Sequence, residues 1–416
     1  MSTHNTVKTA PQKAGDRDLN WGPNGDGSVA VGPALGDGQH SSLPLNGAAI
    51  LPDGQLIVTS EILQETLFVI GKLDKQGMLN PAFGENGRTV GKFTQGSESR
   101  AGAVTLANND KILMAGRYGP YVALLGLDSQ GAWDQGFADK GEAIIYQFRN
   151  GAASVIKVLP DASFIVGANY ATGAESTFDT ATLLKFDDKG SLVASFGNEG
   201  KVEIRLPNDP TALTFLNDCA FLNDGRILVA GYAQTKDGKR QGLLAMLNAN
   251  GSPNLLFGDN GGILLISRHD TDIQFNAITQ RDTNRFLAAG EVAKSQQEQS
   301  IGLLRGLDDS GKPDMAFNAG EMLETELVSD KSTRWDKVYT DNKDKIVVAG
   351  TGDGLYLARF TLDGMLDPSF SDDGYVVEEV LTDRVITLAP DTDDTILLGC
   401  NHGGLVQNGA LYRYFG

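Results

Sequence analysis

The sequence predicts an all-β fold, a seven-bladed β-propeller of four-stranded antiparallel blades, and three observations carry that prediction. The first is a recurring unit whose cleanest copy is residues 362–377, LDGMLDPSFSDDGYVV. Further copies lie at 79–84, 191–202 and 254–263, with degraded ones at 18–29, 133–143 and 314–323. Their aromatic anchors are Trp21, Phe83, Phe137, Phe196, Phe257, Phe317 and Phe370, 53 to 62 residues apart. A period of that size marks a propeller or a solenoid. The second observation is four short apolar runs per repeat, seen well at 201–206 (KVEIRL), 215–222, 226–231 (RILVAG) and 242–247 (GLLAML). The third is the tight turn between the second and third of these runs, Pro52-Asp53-Gly54 or Asn223-Asp224-Gly225, whose residue types supply a positive φ. Four short antiparallel strands repeated radially make propeller blades.

In chain order, residues 1–16 are polar and patternless and read as a flexible tail. A single domain is expected over 17–416. Runs such as ILVAG (227–231) and IVVAG (346–350) are apolar on both faces, as strands sandwiched between sheets should be. The runs after each anchor alternate and carry charge, which suits outer edge strands. On that phasing the chain is cut inside a blade: the C-terminal run precedes the motif and the N-terminal run starts with it. The first strand should therefore complete the last blade and close the ring. Within the motif, Asp367 reads as an N-cap and Pro368 as a first helical residue, predicting one helical turn that drops Phe370 between blades. Its Asp/Gly loops lack the spacing of a twelve-residue calcium loop and read as turns; no metal or cofactor is expected.

The motif copies LDPSFSDDGYVV, SFGNEGKV and NPAFGENGRTV, with their DG and ILVAG hairpins, resemble the delta-60 repeat family of bacterial proteins over residues 17–416. The resemblance implies a propeller of the kind found in large secreted or surface-associated proteins. It carries over no catalytic residue and no cofactor.

A net charge of −18 argues against nucleic acid as a partner. No apolar run is long enough to span a membrane. The N-terminus lacks the apolar segment of a classical signal peptide, so a cytoplasmic location or a leaderless export route is expected. Two cysteines, Cys219 and Cys400, sit in apolar runs and read as buried thiols. Cys400 and His402 share a strand face, but the sequence holds no HExxH, paired CxxC, Walker or GxSxG motif.

The tight turns and the motif fall on one face of a four-stranded meander, and the variable loops on the other. Function concentrates in such loops. Candidate binding residues on that face are the arginines Arg100, Arg149, Arg268, Arg334 and Arg384, which can fork onto an anion or carboxylate, and the aromatics Tyr118, Tyr170, Tyr232 and Trp335. The reading favours a non-enzymatic propeller, compatible with a monomer, that binds a protein or glycan partner. The alternative is a hydrolase or lyase at the mouth of the central channel.

Overall fold

The computed structural model describes residues 12–36, 38, 40–93, 98–149, 151–171, 179–294, 299–341, 343–403 and 408–416. Among these the chain forms seven four-stranded antiparallel sheets arranged as a seven-bladed propeller. The innermost strands, in blade order, are Gly47–Ile50, Ser99–Leu106, Gly151–Val158, Leu213–Phe221, Thr271–Asp282, Thr333–Thr340 and Thr382–Asp391. Each blade then steps outwards in sequence order, except the last. There the outermost strand is Ser28–Ala30, paired antiparallel to Asn408–Phe415 with Val29 opposite Leu411. The ring is thus closed by main-chain hydrogen bonds between the two ends of the chain. The closure also draws in residues the sequence places in the tail. Gly15 N donates to Phe415 O at 2.8 Å, and Ser371 N to Ala14 O at 2.7 Å. Tail residues 1–11 lie outside the described residues. No helix among the described residues is long and apolar enough to cross a membrane.

The second strands explain the core. Ile227, Leu228, Val229 and Ala230 are all buried, because one face of the strand packs on the preceding blade and the other on the next. The glycine that ends such a run answers a β-bulge opposite. In the fourth, fifth and sixth blades the inner strand inserts Asn217, Asn276 and Asp336 as the extra residue. That pushes the preceding backbone onto the partner strand. A Cβ on Gly231 would lie 1.8 Å from Phe215 O, and one on Gly350 1.7 Å from Arg334 O. Only glycine admits that approach.

The motif is a hydrogen-bonded turn and not the helical turn expected. Phe370 N donates to Asp367 O at 2.9 Å and Gly374 N to Phe370 O at 2.8 Å. Asp367 Oδ1 accepts the Ser369 amide at 3.1 Å as an N-cap would, but no helix follows, because Gly374 turns the chain at φ 84° into the outer strand. Phe370 is fully buried in a cluster that joins the sixth and seventh blades through Leu357, Val385 and Tyr412. The other oxygen of Asp367 pairs with Arg359 Nε at 2.9 Å and Lys345 Nζ at 3.1 Å. Asp314 and Asp134 make the corresponding pairs to Arg281 and Lys111. The motif aspartate is therefore a clamp between the turns of one blade. The carboxylates of the neighbouring Asp/Gly loops serve their own backbone, as Asp187 does in accepting the amides of Lys189 and Ser191 at 3.0 and 2.8 Å.

Candidate functional site

The inner strands surround a central channel, and what lines it differs around the ring. The first and second blades contribute Asn46, Gly47, Ala48 and the stretch 101–104, which apart from the Asn46 amide is backbone and small apolar side chains. The third, fourth, sixth and seventh contribute Lys157, Asp218, Lys337 and Arg384. Together they enclose a cavity of about 350 Å³. Towards the variable-loop face a second cavity of about 230 Å³ is lined by Asn217, Tyr232, Gln274, Asn276, Arg334, Asp336 and Arg384. Arg384 lines both, which makes the second cavity the mouth of the first.

The bulges place these side chains. In the fourth, fifth and sixth blades the extra residue of the inner strand turns into the channel and reaches the next blade. Asn217 Nδ2 donates to Phe275 O at 2.8 Å, and Asn276 Nδ2 to Trp335 O at 3.0 Å. Asp336 Oδ2 accepts Val385 N at 3.0 Å and Thr351 Oγ1 at 3.1 Å. Its other oxygen lies 3.3 Å from Arg334 Nε. Arg334 also donates to the carbonyl of Asp383 in the seventh blade. One residue past the bulge, Asp218 accepts Lys157 Nζ at 2.9 Å, its neighbour's amide (Cys219 N) at 2.9 Å and Ile278 N at 3.1 Å. Burial would raise the Asp218 pKa, but Lys157 and Lys337 hold it below the usual value. At the mouth, burial raises Glu291, with Arg334 opposing, and Glu291 accepts Gln274 Nε2 at 2.7 Å.

Of the residues singled out from sequence, Arg334, Arg384 and Tyr232 come together at this mouth from three blades. Tyr232 stacks on Phe215 with centroids 4.5 Å apart, and the Arg240 guanidinium lies over its ring at 5.1 Å. The others are elsewhere. Arg100 faces Glu61 at 3.4 Å. Arg268 pairs with Glu324 at 2.5 Å beside a separate cavity of about 310 Å³. Arg149 ends the strand Glu142–Arg149, and its side chain lies outside the described residues. Tyr118 is half-buried among the side chains that join the first two blades. Tyr170 and Trp335 are buried and offer no surface to a partner. Trp335 is a wedge between the fifth and sixth blades, edge-on to Phe360 at 6.2 Å. Inner-strand residues that precede the bulge point between blades, which is why an aromatic there is core. Among the described side chains, Arg100 and Arg268 thus stand apart from Arg334 and Arg384.

Lys157, Asp218, Lys337, Asn217 and Asn276 were not singled out. A signal for the last two existed: Asn217, Asn276 and Asp336 each stand thirteen residues before the alanine of the AG pair within the next strand. The Cys400–His402 pair does meet, with Sγ and Nε2 3.5 Å apart and Tyr412 Oη 2.7 Å from the same nitrogen. Burial pushes the Cys400 thiol up to about 12, so it stays protonated and is a poor nucleophile.

A family described as a β-propeller domain of unknown function, DUF5122, matches residues 222–257 and 344–370. Both segments run from a tight turn to an anchor phenylalanine. No curated protein matches the chain. Among solved structures, the β-propeller domain of Cps50 (Swd1) from Myceliophteria thermophila is 10% identical with a TM-score of 0.47, over 89% of this chain and 99% of that one. YCF48 from Cyanidioschyzon merolae is 10% identical with a TM-score of 0.48, over 94% and 99%. Extracellular domains 1-2 of Drosophila Semaphorin 1b are 8% identical with a TM-score of 0.49, over 97% and 87%.

Proposed function

We propose that this propeller is a non-enzymatic binding module that takes a protein or glycan partner on its variable-loop face, centred on the channel mouth. The observation that supports this reading is the convergence of Tyr232, Arg334 and Arg384 with the amides of Asn217, Gln274 and Asn276 in one open cavity. Arginine, tyrosine and side-chain amides are the groups that fix an acidic or hydroxyl-rich partner in place. With Phe215 and Arg240 on the Tyr232 ring, a sugar would be held here by hydrogen bonds more than by stacking. The hydrolase or lyase alternative has weaker support, because Asp218 and Asp336, the carboxylates nearest the channel, are each engaged by several donors and lack a free oxygen to act as a base.

The test is a pull-down from native lysate and culture medium, with a glycan array in parallel, comparing wild type with Arg334→Ala and Tyr232→Ala. Partners or glycans retained by wild type and lost from both folded variants support the reading. Identical profiles for all three proteins place partner binding away from the mouth.

A further inference from the structure

The channel interior carries an imbalance that the mouth does not explain. The interior carboxylate Asp218 is already committed to Lys157, Cys219 N and Ile278 N, and Asp336 at the mouth to Arg334, Val385 N and Thr351. The Lys337 ammonium and the Arg384 guanidinium line the same cavity, and among the described residues neither has a hydrogen-bond or ion-pair acceptor. Burial lowers the Lys337 pKa, with Arg384 and Lys157 adding to the lowering and Asp218 and Asp336 opposing it. Lys337 and Arg384 thus place two positive charges on one side of the channel, and an anion between them would offset their mutual repulsion.

The opposite wall is as informative. Gly47, Ala48 and Gly102 leave that side of the cavity free of charge and of long side chains. At about 350 Å³ the space suits a small organic molecule and exceeds what a bare inorganic ion needs. We propose that the central channel binds a small molecule bearing an oxyanion, a phosphate or a carboxylate, which is gripped by Lys337 and Arg384 while its uncharged body lies against the glycine- and alanine-lined arc of the first two blades. In this site Lys157 is a positioning residue: it neutralises Asp218 and so keeps that carboxylate from occupying Lys337. The site shares Arg384 with the partner-binding mouth and rests on that reading to that extent, while Lys337, which lines the interior cavity alone, tells the two apart.

Calorimetric titration of the full chain with inorganic phosphate in one arm and citrate in another tests the proposal, against Lys337→Met and Arg384→Gln. Saturable binding of at least one probe is expected, weakened at least about tenfold in each variant, as loss of a charge-assisted hydrogen bond requires. The stronger arm identifies the oxyanion as phosphate or carboxylate. Binding of neither probe, or undiminished binding in either variant, overturns the proposal. Arg384 also lines the mouth, so Lys337→Gln, which keeps a polar side chain, decides the matter should Lys337→Met fail to fold.

Discussion

The motif face and the channel wall are made by the same seven repeats and use them in opposite ways. On the motif face each copy does the same work. An aromatic anchor fills a joint between blades, and a motif residue such as Asp134, Asp314 or Asp367 ties one turn to another. Around the channel the backbone repeats but the side chains do not. The inner-strand bulge carries Asn217, Asn276 and Asp336 on consecutive blades, and the residue after it is Asp218, Ala277 or Lys337. The contrast separates two kinds of information. Positions that recur report how the ring is held, and departures from recurrence at a fixed backbone position report what the ring can bind.

Substitutions on the two sides should therefore separate stability from binding. The largest effect belongs to Phe370→Ala, which empties a fully buried joint between the sixth and seventh blades. A loss of about 3–5 kcal/mol is expected in chemical denaturation, with oxyanion binding unchanged while the protein is folded. Next is Asp367→Ala, which strands Arg359 and should cost about 3 kcal/mol. Burial would raise the Asp367 pKa, but the Ser369 hydroxyl and amide, Lys345 and Arg359 hold it at about 2, against 3.8 in the unfolded chain. The depressed value means that its contribution is complete above the unfolded value and fades as pH falls through about 2. The acid limb of the wild-type stability curve over that window should be flatter in the variant.

Gly350→Ala tests the joint between the two sides. Its Cβ would meet Arg334 O at 1.7 Å, so the bulge that sets Asp336 and Lys337 must shift. A loss of about 1–3 kcal/mol is expected together with weakened oxyanion binding. A variant that loses stability and keeps full affinity would show that the bulge does not position the site. The smallest stability effect, and of opposite sign, is expected for Lys337→Met. A lysine whose pKa is lowered on folding disfavours the folded state at neutral pH, a penalty that is relieved only as pH rises towards the unfolded value. Removing the ammonium should raise the melting temperature.

The fold was legible because its determinants recur. Seven anchors, the tight turns and the two-sided apolar runs each report a backbone requirement that every blade shares. Ring closure through Ser28–Ala30 followed from the phase of the repeat alone. The candidate site was legible only in part. Arg334, Arg384 and Tyr232 stand at strand ends facing the variable loops, where loop position is a fair guide. Trp335 and Tyr170 are core: Trp335 because side-chain direction near a bulge depends on a backbone insertion that hydrophobic pattern does not reveal, and Tyr170 because its ring lies over Gly151. Lys157, Asp218 and Lys337 look like ordinary polar residues within strands. They become neighbours only when strands from the third, fourth and sixth blades converge on one axis.

The separation of roles can be read most directly from the melting temperature of wild type and Lys337→Met as citrate or phosphate is raised. Wild type should start lower and climb, gaining about 1.4 kcal/mol for each tenfold excess of anion above the dissociation constant. Lys337→Met should start higher and stay level. A variant that climbs in parallel with wild type would contradict the assignment of the channel as the binding site.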